Sequence, residues 1–146
     1  IDYYKMTKEE FDAVLDKYHG NWETVFKEYE KARKKDTDAI ADLAVDNFHE
    51  MKEHTANPIF QEKRKLETAF EKEFPNDYYS KYSLVTFNEA IGYREAMLRG
   101  RAQDKAILSL LDEGALPEDF SLKAKLEKVK QETNDILHDD AIVENL

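Results

Sequence analysis

The chain has 146 residues, no cysteine and a formal net charge of −10, with 41% hydrophobic and 37% charged residues. That size and composition suit one globular domain with its own core, and the lack of cysteine excludes a disulfide scaffold, a thiolate metal site and a cysteine nucleophile. The acidic balance opposes nucleic acid and anionic membranes as partners, no apolar run approaches the ~18 residues of a membrane span, and no signal-peptide pattern opens the chain.

The elements follow in order. "TKEE", Thr7 to Glu10, reads as a capping box that opens a helix carrying Phe11, Val14 and Leu15. Tyr18 to Gly20 ends it, with Gly20 just past the last turn. Asn21 caps a second helix with Trp22, Val25, Phe26 and Tyr29 on one face. The charged run "EKARKKD" carries that helix outward as a solvated face. Asp36 or Thr37 then caps a third helix, or one long helix continues to about His54. Asn57 and Pro58 open the next helix, which carries Phe60, Leu66, Ala69 and Phe70 and stops at "FPND". "YYSKYSLVTF", 78–87, is rich in aromatic and β-branched residues and lacks a helical period, so it reads as extended or strand-like. Asn88 caps a helix with Ile91, Ala96, Met97, Ala106, Ile107 and Leu110, weakened by Gly92 and Gly100. "EGALPEDFS" is a loop, and Leu122 to Leu137 is a last amphipathic helix. The fold class is therefore mainly α, a single helical domain over 1–146 with one extended segment.

Few patterns carry chemistry. The four glycines, Gly20, Gly92, Gly100 and Gly114, are too far apart for a G-x-G-x-x-G turn or a P-loop, so no nucleotide site is expected from this chain alone. "HEMKEH", His49 to His54, fails both zincin spacings, because position 53 is Glu53 and the two histidines lie ~140° apart around a helix. No metal and no catalytic group is assigned. In "DTDAIADLAVDNFHEM" the residues Ile40, Leu43, Ala44, Phe48 and Met51 recur at helical spacing, yet Asn47 sits inside that stripe and Glu50 lies beside Met51. Asn47, Glu50 and Met51 form one patch at i, i+3 and i+4. A buried amide or carboxylate must be hydrogen-bonded. Either Asn47 serves nearby backbone and Glu50 reaches solvent or a lysine, or the patch is the polar wall of an apolar ligand pocket. Tyr82 is a second candidate, an aromatic whose hydroxyl needs a partner if buried, or else plain core.

The blocks "DAIADLAVDNFHEM", "NPIFQEKRKLETAFEKEFP" and "YYSKYSLVTFNEAIGYREAMLRGRAQDKAIL" resemble, in order and spacing, the C-terminal part of kynurenine 3-monooxygenase. The resemblance runs from about Trp22 to Leu108; Ile1 to Tyr18 match weakly. It implies a flavoprotein that uses FAD, NADPH and O₂ to hydroxylate L-kynurenine to 3-hydroxykynurenine, with these helices closing over the substrate. Carried over by motif, Asn47 and Tyr82 hydrogen-bond the substrate, Glu50 belongs to the pocket's hydrogen-bond network, and Met51 is apolar wall. Both FAD motifs of the family are missing, so this chain is expected to be a C-terminal portion that binds no flavin, is inactive alone and has the FAD-binding domain as its partner. The tail "QETNDILHDDAIVENL" is acidic and polar where animal members carry a membrane anchor, so a soluble, cytoplasmic form is expected. The different-class alternative is a non-catalytic helical protein-binding module.

Overall fold

Helix α1 (Lys8–Lys17) runs into a turn in which Gly20 has a φ of +76° and donates its N–H to the Leu15 carbonyl at 3.4 Å. The computed structural model describes residues 8–53 and 56–146, so Thr7, the expected N-cap, and His54 lie outside the described residues. Asn21 Oδ1 accepts the Thr24 N–H at 3.3 Å and opens α2 (Trp22–Glu53). The two readings of this region resolve into one helix of 32 residues. Its length is ~48 Å at ~1.5 Å per residue. Thr37 caps nothing; its hydroxyl donates back to the Arg33 and Lys34 carbonyls. The charged middle is solvated and carries the i,i+4 pair Lys34–Asp38, and the helix start carries Glu23–Lys27 at the same spacing. Helix α1 lies on the first half of α2, where the Phe11 and Tyr29 rings meet edge to face at 5.8 Å.

Helix α3 (Pro58–Glu73) starts as expected, with Pro58 in its first turn and Asn57 Oδ1 accepting the Ile59 N–H at 3.2 Å. The strand-like expectation for 78–87 fails: Lys81–Phe87 is helix α4, and no strand occurs among the described residues. Seven residues are too few for a 3.6-residue period to show. The helix is organised from outside, because Glu71 of α3 accepts both the Ser80 N–H (2.9 Å) and the Ser83 hydroxyl (2.7 Å) at its start. Local β preference yields to that tertiary cap and to the packing of Tyr82 and Val85, three residues apart, onto α2.

Asn88 does not cap the next helix. It follows α4 and turns the chain by accepting the Ala90 N–H at 3.1 Å. Helix α5 (Tyr93–Asp112) begins after Gly92, where Asp36 of α2 accepts the Arg94 N–H at 3.3 Å. Glu113 and Gly114 (φ +65°) end it, and Ser121 caps α6 (Leu122–His138) by accepting the Ala124 N–H at 3.1 Å. A short α7 (Asp140–Val143), capped by Asp139, stands where only a polar tail was expected.

Helix α5 is the central element, packed by α2, α3, α4 and α6. On one side Phe70, Tyr78, Ile107, Leu110, Leu116, Leu126 and Val129 form the main core between α3, α5 and α6. Ala102, Ala106 and Ile136 join the far end to α7. On the other side a thin cluster of Ala39, Leu43 and Met97, with Tyr82 and Val85 against it, holds α2 to α4 and α5. No described helix is long and apolar enough to cross a membrane.

Candidate functional site

The second half of α2 is divided lengthwise. Ala39, Leu43, Asp46 and Glu50 follow one another at three- and four-residue steps, so they share one side of the helix. That side faces α4 and α5: Ala39 and Leu43 enter the thin core, and Asp46 and Glu50 enter a network of charges. The neighbouring stripe, Ile40, Ala44, Asn47, Phe48 and Met51, is exposed. Phe48 is 67% and Met51 65% accessible, although both belong to the apolar pattern. The apolar face of α2 is thus wider than the surface that α4 and α5 cover. Asn47 sits on the exposed side of the seam, with Glu50 on the covered side.

The network is built around two lysines that are each only 4% exposed. Lys81, first residue of α4, pairs with Glu50 and Asp46 of α2 and with Asp104 of α5, the last at 2.8 Å. Asp104 also takes Lys63 of α3 at 2.8 Å, and Lys63 in turn holds Glu67 at 3.0 Å. The Tyr78 hydroxyl donates to Glu67 at 3.1 Å. At the other end Arg101 grips Asp46 through Nε (2.7 Å) and Nη2 (2.9 Å), a bidentate pair. Burial alone raises the Asp46 carboxyl, but the Arg101 hydrogen bonds and the Lys81 charge hold it below the usual carboxylate range. Burial lowers the Lys63 and Lys81 ammoniums, and their carboxylates more than reverse that, so both end above the usual lysine range. Glu67 goes the other way, pushed up by burial against the pull of Lys63.

Gly100 makes this arrangement possible. A Cβ at that position would lie 2.5 Å from Lys81 Cγ and 2.8 Å from its Cα. The lysine stem therefore lies flat on the bare backbone of α5, with Asp104 one turn further on to receive its head. An open cleft of about 420 Å³ borders the network, lined by Asp46, His49, Glu50, Lys81, Arg101 and Leu146.

Tyr82 follows Lys81 directly, with the Lys81 ammonium 5.5 Å from its ring centre. Its ring is half-buried against the Ala39, Leu43 and Met97 cluster. Its hydroxyl is fully buried and has no hydrogen-bond partner among the described residues. Burial, with Glu50 nearby, pushes its pKa up to about 12, so the hydroxyl is protonated and able to donate.

Of the four residues that the sequence singled out, Glu50 and Tyr82 come together around Lys81, while Asn47 and Met51 point out from the next stripe of α2. Glu50 does reach a lysine, the plainer of its two readings. Sequence reasoning missed Lys81, Asp104, Arg101 and Asp46. A signal existed: Lys81 is the lone charge within the aromatic run "YYSKYSLVTF", and Gly100 and Asp104 stand four apart on a helix that packs against it. No cluster among the described residues is arranged to hold a metal ion.

In an alignment 134 residues long that takes in 88% of the chain, it is 39% identical to a kynurenine 3-monooxygenase from Myxococcus xanthus. The chain is a relative of the kynurenine 3-monooxygenases. The enzyme of that name from Flavobacterium psychrophilum is 39% identical over 98 residues, 67% of the chain, and that from Sus scrofa 34% identical over 101 residues, 69% of the chain. The matched stretch is only 28%, 22% and 21% of these three relatives' own lengths. No protein-family model matches the chain, and no solved structure matches it.

Proposed function

We propose that this chain is the substrate-covering helical part of a flavoprotein hydroxylase that converts L-kynurenine to 3-hydroxykynurenine with FAD, NADPH and O₂. The observation that carries the reading is the exposed apolar stripe of α2 with Asn47 in its middle; against the covered side of the same helix, Tyr82 keeps a buried hydroxyl with no partner among the described residues. A buried hydroxyl without a partner costs ~1–3 kcal/mol. An apolar surface with a few convergent polar groups is the usual form of a small-molecule wall. Kynurenine offers what these groups recognise: an aromatic ring for Met51 and Phe48, and carbonyl, amine and carboxylate groups for Asn47 and, once a shift between α2 and α4 uncovers it, for the Tyr82 hydroxyl.

The chain's own residues do not fit a dinucleotide. The N-terminus of α5, the one helix start among the described residues that follows a glycine, already carries the Asp36 carboxylate, which would repel a phosphate. Gly100 is covered by Lys81. FAD and NADPH therefore belong to a partner domain, and the role left to this chain is to bind and orient the substrate and to exclude water from it. The apolar stripe of α2 is the surface that substrate and flavin domain would share.

The test uses the full-length flavoprotein that carries this sequence. Tyr82→Phe and Asn47→Ala should each raise the KM for kynurenine at least about tenfold, the worth of a lost buried hydrogen bond, with FAD content unchanged. Unaltered kynurenine kinetics in both variants would refute the site.

A further inference from the structure

The two buried lysines of the network share Asp104 but differ in reach. Lys63 ties α3 to α5 inside the half of the molecule that has a full core. Lys81 ties α4 and α5 to α2, across the half whose apolar contact is thin. We propose that Lys81 is the positioning residue of the substrate pocket: its ammonium, held by Asp104 of α5 and by Asp46 and Glu50 of α2, sets the α2 stripe that carries Asn47 and Met51 in register with Tyr82, and Glu50 acts on the substrate only through it. This rests on the reading of the chain as a substrate cover.

The geometry favours a positional over a purely cohesive role. A lysine has three N–H donors and no acceptor, and Lys81 finds three carboxylates, from two helices. Its own stem has no freedom, because it lies against the Gly100 backbone at a distance that leaves no room for a Cβ. The ammonium is therefore a fixed point, and α2 is attached to it. Glu50 is three residues from Asn47 and next to Met51, so the bond that fixes Glu50 fixes the turn that bears them both. Tyr82 is the next residue after Lys81, and its ring lies under the same ammonium. Buried ion networks contribute little net stability against an apolar replacement, and three ordered carboxylate contacts on one cation would serve orientation instead. Arg101, which grips Asp46 from the other side, closes the clamp on α2.

The experiment compares the lysines in the full-length flavoprotein, with kynurenine KM, kcat, FAD content and melting temperature as readouts. Lys81→Met should raise KM about tenfold or more, a displacement effect on binding groups it does not include. Lys63→Met, an equally buried lysine in the same network, should lower the melting temperature comparably and leave KM within about twofold. Glu50→Gln should raise KM by a smaller factor, and the Lys81→Met/Glu50→Gln double variant should be no worse in KM than Lys81→Met, because the two residues act as one unit. Equal KM changes for the two lysine variants, or a Lys81→Met KM within twofold of the parent, would overturn the proposal. If Lys81→Met does not fold, Glu50→Gln against Glu67→Gln decides: a KM rise confined to Glu50→Gln supports it, and equal effects overturn it. Silent Tyr82→Phe and Asn47→Ala variants would bring down the substrate-cover reading and this inference together, whereas effects there with a silent Lys81 would bring down the inference alone.

Discussion

The two sides of α5 are built on different terms. On the α3–α6 side, Phe70, Ile107, Leu126 and Val129 are each no more than 1% exposed, and the apolar faces of the helices form a continuous core. On the α2 side the apolar contact is Ala39, Leu43 and Met97 with Tyr82 and Val85 against them, much of the rest of the join is ionic, and Phe48 and Met51 stand in the open. The first side is held by its core. The second has a helix with more apolar surface than its neighbours cover, which is the mark of a face made for something else.

The largest effect that would separate the two sides is a cavity in the closed one. Phe70→Ala should cost ~3–5 kcal/mol, read by denaturant titration of the 146-residue chain, because its ring is fully buried against Tyr78. Next comes the crossing that joins the sides: Gly100→Ala forces a methyl into the Lys81 stem and backbone and should cost ~1–3 kcal/mol or more. An α5 that tolerates alanine there would mean that Lys81 is not pinned. A smaller effect is acid sensitivity. Asp46 and Glu71 both have folded carboxyls below their ordinary values of 3.8 and 4.5. The stability they contribute is therefore complete above those values and is lost as the pH falls through the lower, folded ones. Asp46→Asn should flatten the fall in stability below about pH 4, by an amount near 1 kcal/mol or less, since water still reaches the pair. The smallest effect on stability is the most informative about the open face. Phe48→Ser should change the stability of the isolated chain by no more than ~0.5 kcal/mol. It should also reduce self-association in sedimentation, since the patch is the surface left uncovered. A parent chain that stays monomeric at high concentration would favour the non-catalytic binding module instead.

Much of the closed side could be read from the residues. The Asn57–Pro58 start, the Phe70 and Ile107 stripes and the amphipathic helix from Leu122 carry local signals that their surroundings reinforce. The failures cluster where a distant residue decides. Glu71 makes a helix of "KYSLVTF", and Asp36 rather than Asn88 marks the start of α5. The patch of Asn47, Glu50 and Met51 was legible as a polar interruption of an apolar stripe. Its division into a covered Glu50 and an open Asn47 was not, because that depends on how much of α2 the neighbouring helices reach. Lys81 left only a faint signal, a lone charge in an aromatic run, for the same reason: a lysine is read as solvent-facing until a glycine and three acids from other helices are placed around it.

The central claim, that the Ile40–Met51 stripe is covered in the working protein, is tested most directly by hydroxyl-radical footprinting of Phe48 and Met51. The 146-residue chain alone would be compared with the full-length flavoprotein, with and without kynurenine. The account predicts high reactivity of both side chains in the isolated chain, strong protection in the full-length protein, and further protection of Met51 by kynurenine. Equal reactivity in all three samples would contradict it.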